Sequence, residues 1–174
     1  MSKVYVVLTK SATPISILIN MATRDEYTHA SIAFSDDIKP MYSIGRKYTF
    51  LPFPAGMKEE PLDSGFYKYY NNAKLAIYSI EVSESGLKKI KEYVDECYNR
   101  KEEITFSYLG VFLNLFNIGL NRKDRYFCSQ FVADALNKSE EINTKKPSNV
   151  FHPIDFLQIE NIQLEFVGKI KDKA

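Results

Sequence analysis

Tryptophan is absent from the 174 residues, and cysteine and histidine occur only twice each. Cys97 and Cys128 alone cannot form a disulfide framework. Without Cys/His pairs at ligand spacing they do not suggest a zinc site either, so neither metal nor cofactor is expected. Charge of one sign is also missing. Lys and Arg number 23 against 22 Asp and Glu, and the net of +1 gives no field that argues for nucleic acid or an anionic membrane. Long apolar runs are lacking as well. The longest, residues 104–120, is broken by Thr105, Ser107, Asn114 and Asn117, short of the roughly 20 apolar residues that a membrane-spanning helix needs. The apolar stretch 4–8 is too brief for a secretory leader and reads as a first strand, which points to a cytoplasmic protein. No repeat, low-complexity tract or Gly/Ser/Pro-rich linker divides the chain, so residues 1–174 read as one domain.

What is present supports a packed globule: 45% hydrophobic residues, with 12 Tyr and 12 Phe to fill a core. Residues 4–9 are apolar throughout, as in a strand covered on both faces. Ile15, Leu18, Ile19 and Ala22 recur at helical spacing after Thr13-Pro14, predicting a helix that ends near residues 23–24. Residues 28–34 predict a second strand, stopped by Ser35-Asp36-Asp37, with a hairpin return over 41–44. The Pro- and aromatic-rich stretch 51–72 reads as an ordered loop or flap. Residues 74–82 alternate with period two, as a strand does. Over 85–100, Leu87, Ile90, Val94 and Cys97 form one stripe of a surface helix, so Cys97 reads as an inert packed thiol. A helix over 128–138, a short one near 154–159 and a last strand over 162–170 complete the pattern.

A cysteine is a good nucleophile only as its thiolate, and the first turn of a helix stabilises that anion through free N–H groups and the helix dipole. Cys128 has such a position. A neighbouring imidazole would take the thiol proton and later protonate a leaving group. His29 opens an apolar strand and can be held rigidly, whereas His152 lies in a loop, so His29 is the favoured base.

The segments Thr28-His29-Ala30-Ser31-Ile32 and Tyr126-Phe127-Cys128-Ser129-Gln130-Phe131-Val132 resemble the permuted branch of the NlpC/P60 superfamily, which includes YiiX-like proteins and relatives of lecithin:retinol acyltransferase. In that branch the His strand precedes the Cys helix, as here. Pro153-Ile154-Asp155 after the Cys helix and Tyr108-Leu109-Gly110 before it extend the similarity. The resemblance implies an α+β, circularly permuted papain-like fold, an antiparallel sheet packed against helices that include the nucleophile helix. It implies a cysteine hydrolase in which a Cys128–His29 dyad cleaves an amide of a peptide or cell-wall-fragment-like substrate through a thioester. Acyl transfer or lipid-ester cleavage, and a weakly active or inactive binding module, are the alternatives.

A third polar residue on the strand after the His strand would orient the ring. Where relatives can carry a second His, the chain offers Tyr42 or Ser43, whose hydroxyls would orient an imidazolium without stabilising it as a carboxylate does. The N–H of Cys128 is the natural first oxyanion donor, Tyr108 resembles an upstream Tyr near the site, and Gln130, about 200° around the helix from Cys128, reads as structural. Phe106, Leu109, Val111, Phe112, Leu113, Leu115 and Phe116 read as core beside the catalytic helix, with an acyl groove as the other reading. The partner is thus a small-molecule, peptide or lipid-like substrate.

Overall fold

The computed structural model describes residues 2–10 and 25–174, and the helix expected between residues 13 and 24 lies outside the described residues. Among the described residues eight strands form one open sheet: β1 (Ser2–Lys10), β2 (His29–Ala33), β3 (Met41–Arg46), β4 (Ala55–Glu59), β5 (Lys74–Val82), β6 (Thr105–Phe106), β7 (Arg125–Tyr126) and β8 (Gln163–Lys169). Their order is β7-β6-β4-β3-β2-β1-β5-β8. Neighbours run antiparallel except β6 and β7, which pair in parallel. The resemblance implies an antiparallel sheet, and the parallel β6–β7 pair departs from it, because two-residue strands carry too little pattern to reveal their direction. The fold is mixed α+β, and no helix among the described residues is long and apolar enough to cross a membrane.

Strand β1 lies between β2 and β5, and its unbroken apolar run is explained by cover on both sides. Side chains alternate along a strand. Val4, Val6 and Leu8 join the main core with Ile90, Val94 and Phe131, while Tyr5 and Val7 join a second cluster with Leu62, Tyr67 and Ile170 on the opposite face. The main core is covered by α2 (Glu84–Asn99) and α4 (Cys128–Asn137). Ser83 caps α2 by accepting the Gly86 N–H at 3.0 Å. Cys97 is buried on the inner stripe, and burial pushes its thiol up to about 11.

Residues 51–72 are not only a loop. They contain β4 and the short helix α1 (Gly65–Tyr69). Ala55-Gly56-Met57-Lys58-Glu59 has weak intrinsic strand preference, and its conformation comes from the five-residue ladder with β3. The stretch 104–120 matches the core reading only in part, with Ile104 in the main core and Phe106 packed against it. It holds β6 and α3 (Tyr108–Asn114). Leu109, Phe112 and Phe116 point to solvent, while Phe106, Val111 and Leu115 line a cleft.

Gly56 sits where β4 meets β6, and a Cβ there would lie 2.3 Å from the carbonyl oxygen of Ile104. Gly56→Ala should therefore separate the two strands and cost about 1–3 kcal/mol, read as a lowered urea midpoint at unchanged m-value.

Candidate active site

The β1–β2 register pairs Thr9 with His29 and Val7 with Ser31, so Thr9, His29 and Ser31 share one face of the sheet. Glu60, just beyond β4, reaches that face. Its backbone N–H donates to the Met41 carbonyl at 2.8 Å, which holds it to β3. His29 Nε2 lies 2.8 Å from Glu60 Oε2. The Ser31 hydroxyl donates to the same oxygen at 2.8 Å, and Lys58 Nζ stands 3.0 Å from Oε1. The Tyr67 hydroxyl of α1 lies 3.5 Å from Oε2 and 3.3 Å from Thr9 Oγ1.

Cys128 comes from the other layer as the first residue of α4. Strand β2 pairs with β3 only at Ile32 and Ala33. The start of β2, with His29, lies beyond those rungs, and there the sulfur hydrogen-bonds the imidazole. Backbone N–H groups of Ala30 and Ser129 also hydrogen-bond the sulfur. Phe127 supplies no side-chain cap to α4, and the thiolate takes up donors that such a cap would otherwise satisfy.

Burial opposes every charge in this group, and the neighbours outweigh it. Burial alone would lower His29, but the Glu60 carboxylate and Cys128, by charge and hydrogen bonds, raise it from 6.5 to about 10. Burial would raise the Cys128 thiol, but the His29 charge and hydrogen bond, with the Ala30 and Ser129 N–H groups, bring it below 9.0. Burial would raise Glu60 too, yet His29, Lys58 and Ser31 hold it well below the usual carboxylate range. The arrangement is a thiol lowered and an imidazole raised by one another, with the ring braced by a buried carboxylate.

The structure thus brings Cys128 and His29 together, and the ring's bracing differs from expectation. Neither Tyr42 nor Ser43 takes that place. The Tyr42 ring packs edge-on against Tyr98 at 5.3 Å, and the buried Ser43 hydroxyl has no hydrogen-bond partner among the described residues. Glu60 was missed because strand β4 was missed. The signal present was a polar alternation, His29 then Ser31, that asks for a buried partner without saying which.

Tyr108 lines the same cleft, but its hydroxyl donates to the Pro52 carbonyl at 2.6 Å. Gln130 is buried in α4. His152 lines the cleft with Nδ1 3.3 Å from Asp25 Oδ2, and Asp155 accepts the His152 backbone N–H at 2.9 Å. The cleft has a volume of about 480 Å³, within the range of small-molecule sites. Cys128, His29 and Glu60 lie along it with Phe106, Val111 and Phe127. Compared with known proteins, the chain matches no family model, no curated protein and no solved structure.

An electrophilic thiol probe should label Cys128 fast and Cys97 slowly, with the fast phase lost in Cys128→Ala. The rate should rise as pH climbs through the depressed Cys128 pKa and hold until His29 loses its proton near pH 10. Equal, slow labelling of both thiols would contradict this electrostatic picture.

Stability should follow the same pair. The His29 contribution is complete below 6.5 and disappears as pH rises through about 10. The Glu60 contribution is complete above 4.5 and disappears as pH falls through its depressed value. The stability lost in Glu60→Gln should therefore be largest between pH 4.5 and 6.5, measured by urea unfolding across the pH range.

Proposed function

We propose that the chain is a cysteine hydrolase of permuted papain-like fold that cleaves an amide bond in a peptide or peptide-like substrate. One observation carries this reading: a Cys128 sulfur at a helix start, coupled by charge and hydrogen bond to the His29 imidazole, whose Nε2 is held by buried Glu60 at 2.8 Å. In the reaction the thiolate attacks the substrate carbonyl carbon. The oxyanion meets the free N–H groups at the start of α4, and the His29 imidazolium gives its proton to the departing amine. Water, deprotonated by the now neutral His29, then attacks the thioester, releases the acid and restores the thiol.

Strand order supports the fold assignment, because the His strand β2 precedes the Cys helix α4 and the two meet across one sheet. Glu60 weakens the case for an inactive binding module, which rested on the lack of a group able to stabilise an imidazolium. Acyl transfer or lipid-ester cleavage is a second reading of the same chemistry, favoured by the apolar cleft wall of Phe106, Val111 and Leu115.

Fluorogenic peptide amides and fatty-acyl esters, offered in parallel to the purified protein, separate the two. Turnover of either should vanish in Cys128→Ala. In Glu60→Gln, which keeps a hydrogen bond but not the charge, kcat should fall by about 10²–10⁴ with KM little changed. Wild-type inertness toward both substrate classes would sink the proposal.

A further inference from the structure

Large apolar side chains are exposed on two segments of the cleft rim. Phe50, Leu51 and Phe53 lie in the loop between β3 and β4, and Leu109, Phe112 and Phe116 lie on α3 and the turn after it. Each is between 51% and 69% exposed. Leu109, Phe112 and Phe116 follow the spacing i, i+3, i+7, so α3 turns one apolar face outward. Its buried residues are Gly110 and Asn114. The two segments are joined: Tyr108 donates to the Pro52 carbonyl at 2.6 Å, and its ring packs 4.8 Å from Phe53. Two exposed apolar segments are thus tied together at Tyr108, and exposed apolar side chains gathered in this way mark an interaction surface on a folded protein.

Charge on these segments is one-sided. Residues 43–58 and 104–123 carry Arg46, Lys47, Lys58, Arg122 and Lys123 and no carboxylate. Lys58 is engaged by Glu60 and Lys47 by Glu102. Arg46, Arg122 and Lys123 have no carboxylate within 4 Å among the described residues. Of the flanking acids, Glu103 and Asp124 are both held by Arg100, and Glu59 is the exposed exception.

From exposed aromatics on segments that carry cations and no carboxylate, we infer that this rim docks onto the surface of a lipid bilayer bearing anionic headgroups. Phe50, Leu51, Phe53, Phe112 and Phe116 enter the headgroup and acyl boundary, and the exposed Arg122 and Lys123 meet lipid phosphates. Tyr48, Val111 and Leu115 belong to the same segments and line the cleft, so docking brings the cleft mouth against the bilayer. The chain's +1 net charge concealed this local asymmetry. The inference goes beyond the thiol chemistry and does not depend on it.

Sedimentation with vesicles of phosphatidylcholine, alone or mixed with phosphatidylglycerol, tests it. The protein should bind the mixed vesicles more tightly. Phe50→Ser combined with Phe112→Ser should weaken binding to both kinds by about tenfold or more. Arg122→Gln with Lys123→Gln should weaken binding to anionic vesicles by about fivefold per charge and leave neutral ones unaffected. All four side chains are exposed, and unchanged circular dichroism would show that the variants fold. Cys128→Ala should bind as the wild type does, so vesicle binding without turnover overturns only the enzymatic proposal. Docking is overturned if neither vesicle binds, if the substitutions change nothing, or if the rim instead mediates a dimer that Phe112→Ser abolishes.

Discussion

A carboxylate taken out of water must be neutralised where it lies, and the buried Glu60 imposes that demand on everything near it. Its two oxygens are met by Lys58 on one side and by His29 and Ser31 on the other. His29 therefore carries its proton far above the ordinary imidazole range, and the proton in turn draws Cys128 toward the thiolate. Lys58, Glu60 and His29 form a row of alternating charge that ends at the lowered thiol of Cys128, each stabilised by its neighbours. Removing one member leaves an uncompensated buried charge, and for that reason the row acts as a unit rather than as separate pairs.

The fold supplies this row from both faces of one sheet. Register between β1 and β2 sets His29 and Ser31 on the same side as Thr9, where α1 brings Tyr67. The ladder of β3 and β4, continued by the Glu60 N–H to the Met41 carbonyl, carries the carboxylate to that side. Helix α4 packs on the opposite face through Phe131, Val132 and Leu136. Its first residue reaches the imidazole because β2 and β3 share only two rungs. A longer β2–β3 ladder would draw the two strands together along the start of β2, where the sulfur and the ring now meet.

Much of this was legible from residue pattern, and the failures share a cause. The strands β1, β2, β3 and β5 and the helices α2 and α4 have strong periodicity, which local sequence determines. Scarcity narrows the chemical candidates to two of each residue type, and the helix start of Cys128, the strand position of His29 and the resemblance of the segments around them single out the pair. Strand β4 and helix α1 were hidden, since a five-residue segment containing Gly56 becomes a strand only by pairing with a distant neighbour. Glu60 was lost with them, and Tyr42 and Ser43 were named in its place. The residues of α3 were read as core because apolar spacing reports that a face exists, not whether protein or solvent lies against it. Phe112 and Phe116 face outward while Val111 and Leu115 face the cleft.

The electrostatics also suit the order of events in the proposed reaction. An imidazole held near 10 stabilises a thiolate well but is a weak acid toward a leaving amine. Part of what raises His29 is Cys128 itself, through charge and a hydrogen bond. Once the sulfur bonds to the substrate carbon its negative charge is gone, and only Glu60 continues to hold the proton against burial. His29 then becomes more acidic at the stage when the leaving group needs a proton. Glu60 limits that fall and keeps the ring oriented, so the carboxylate tunes the acid as well as positioning it. A hydroxyl from Tyr42 or Ser43 would have oriented the ring without setting either value, and this separates the observed bracing from the one the sequence suggested.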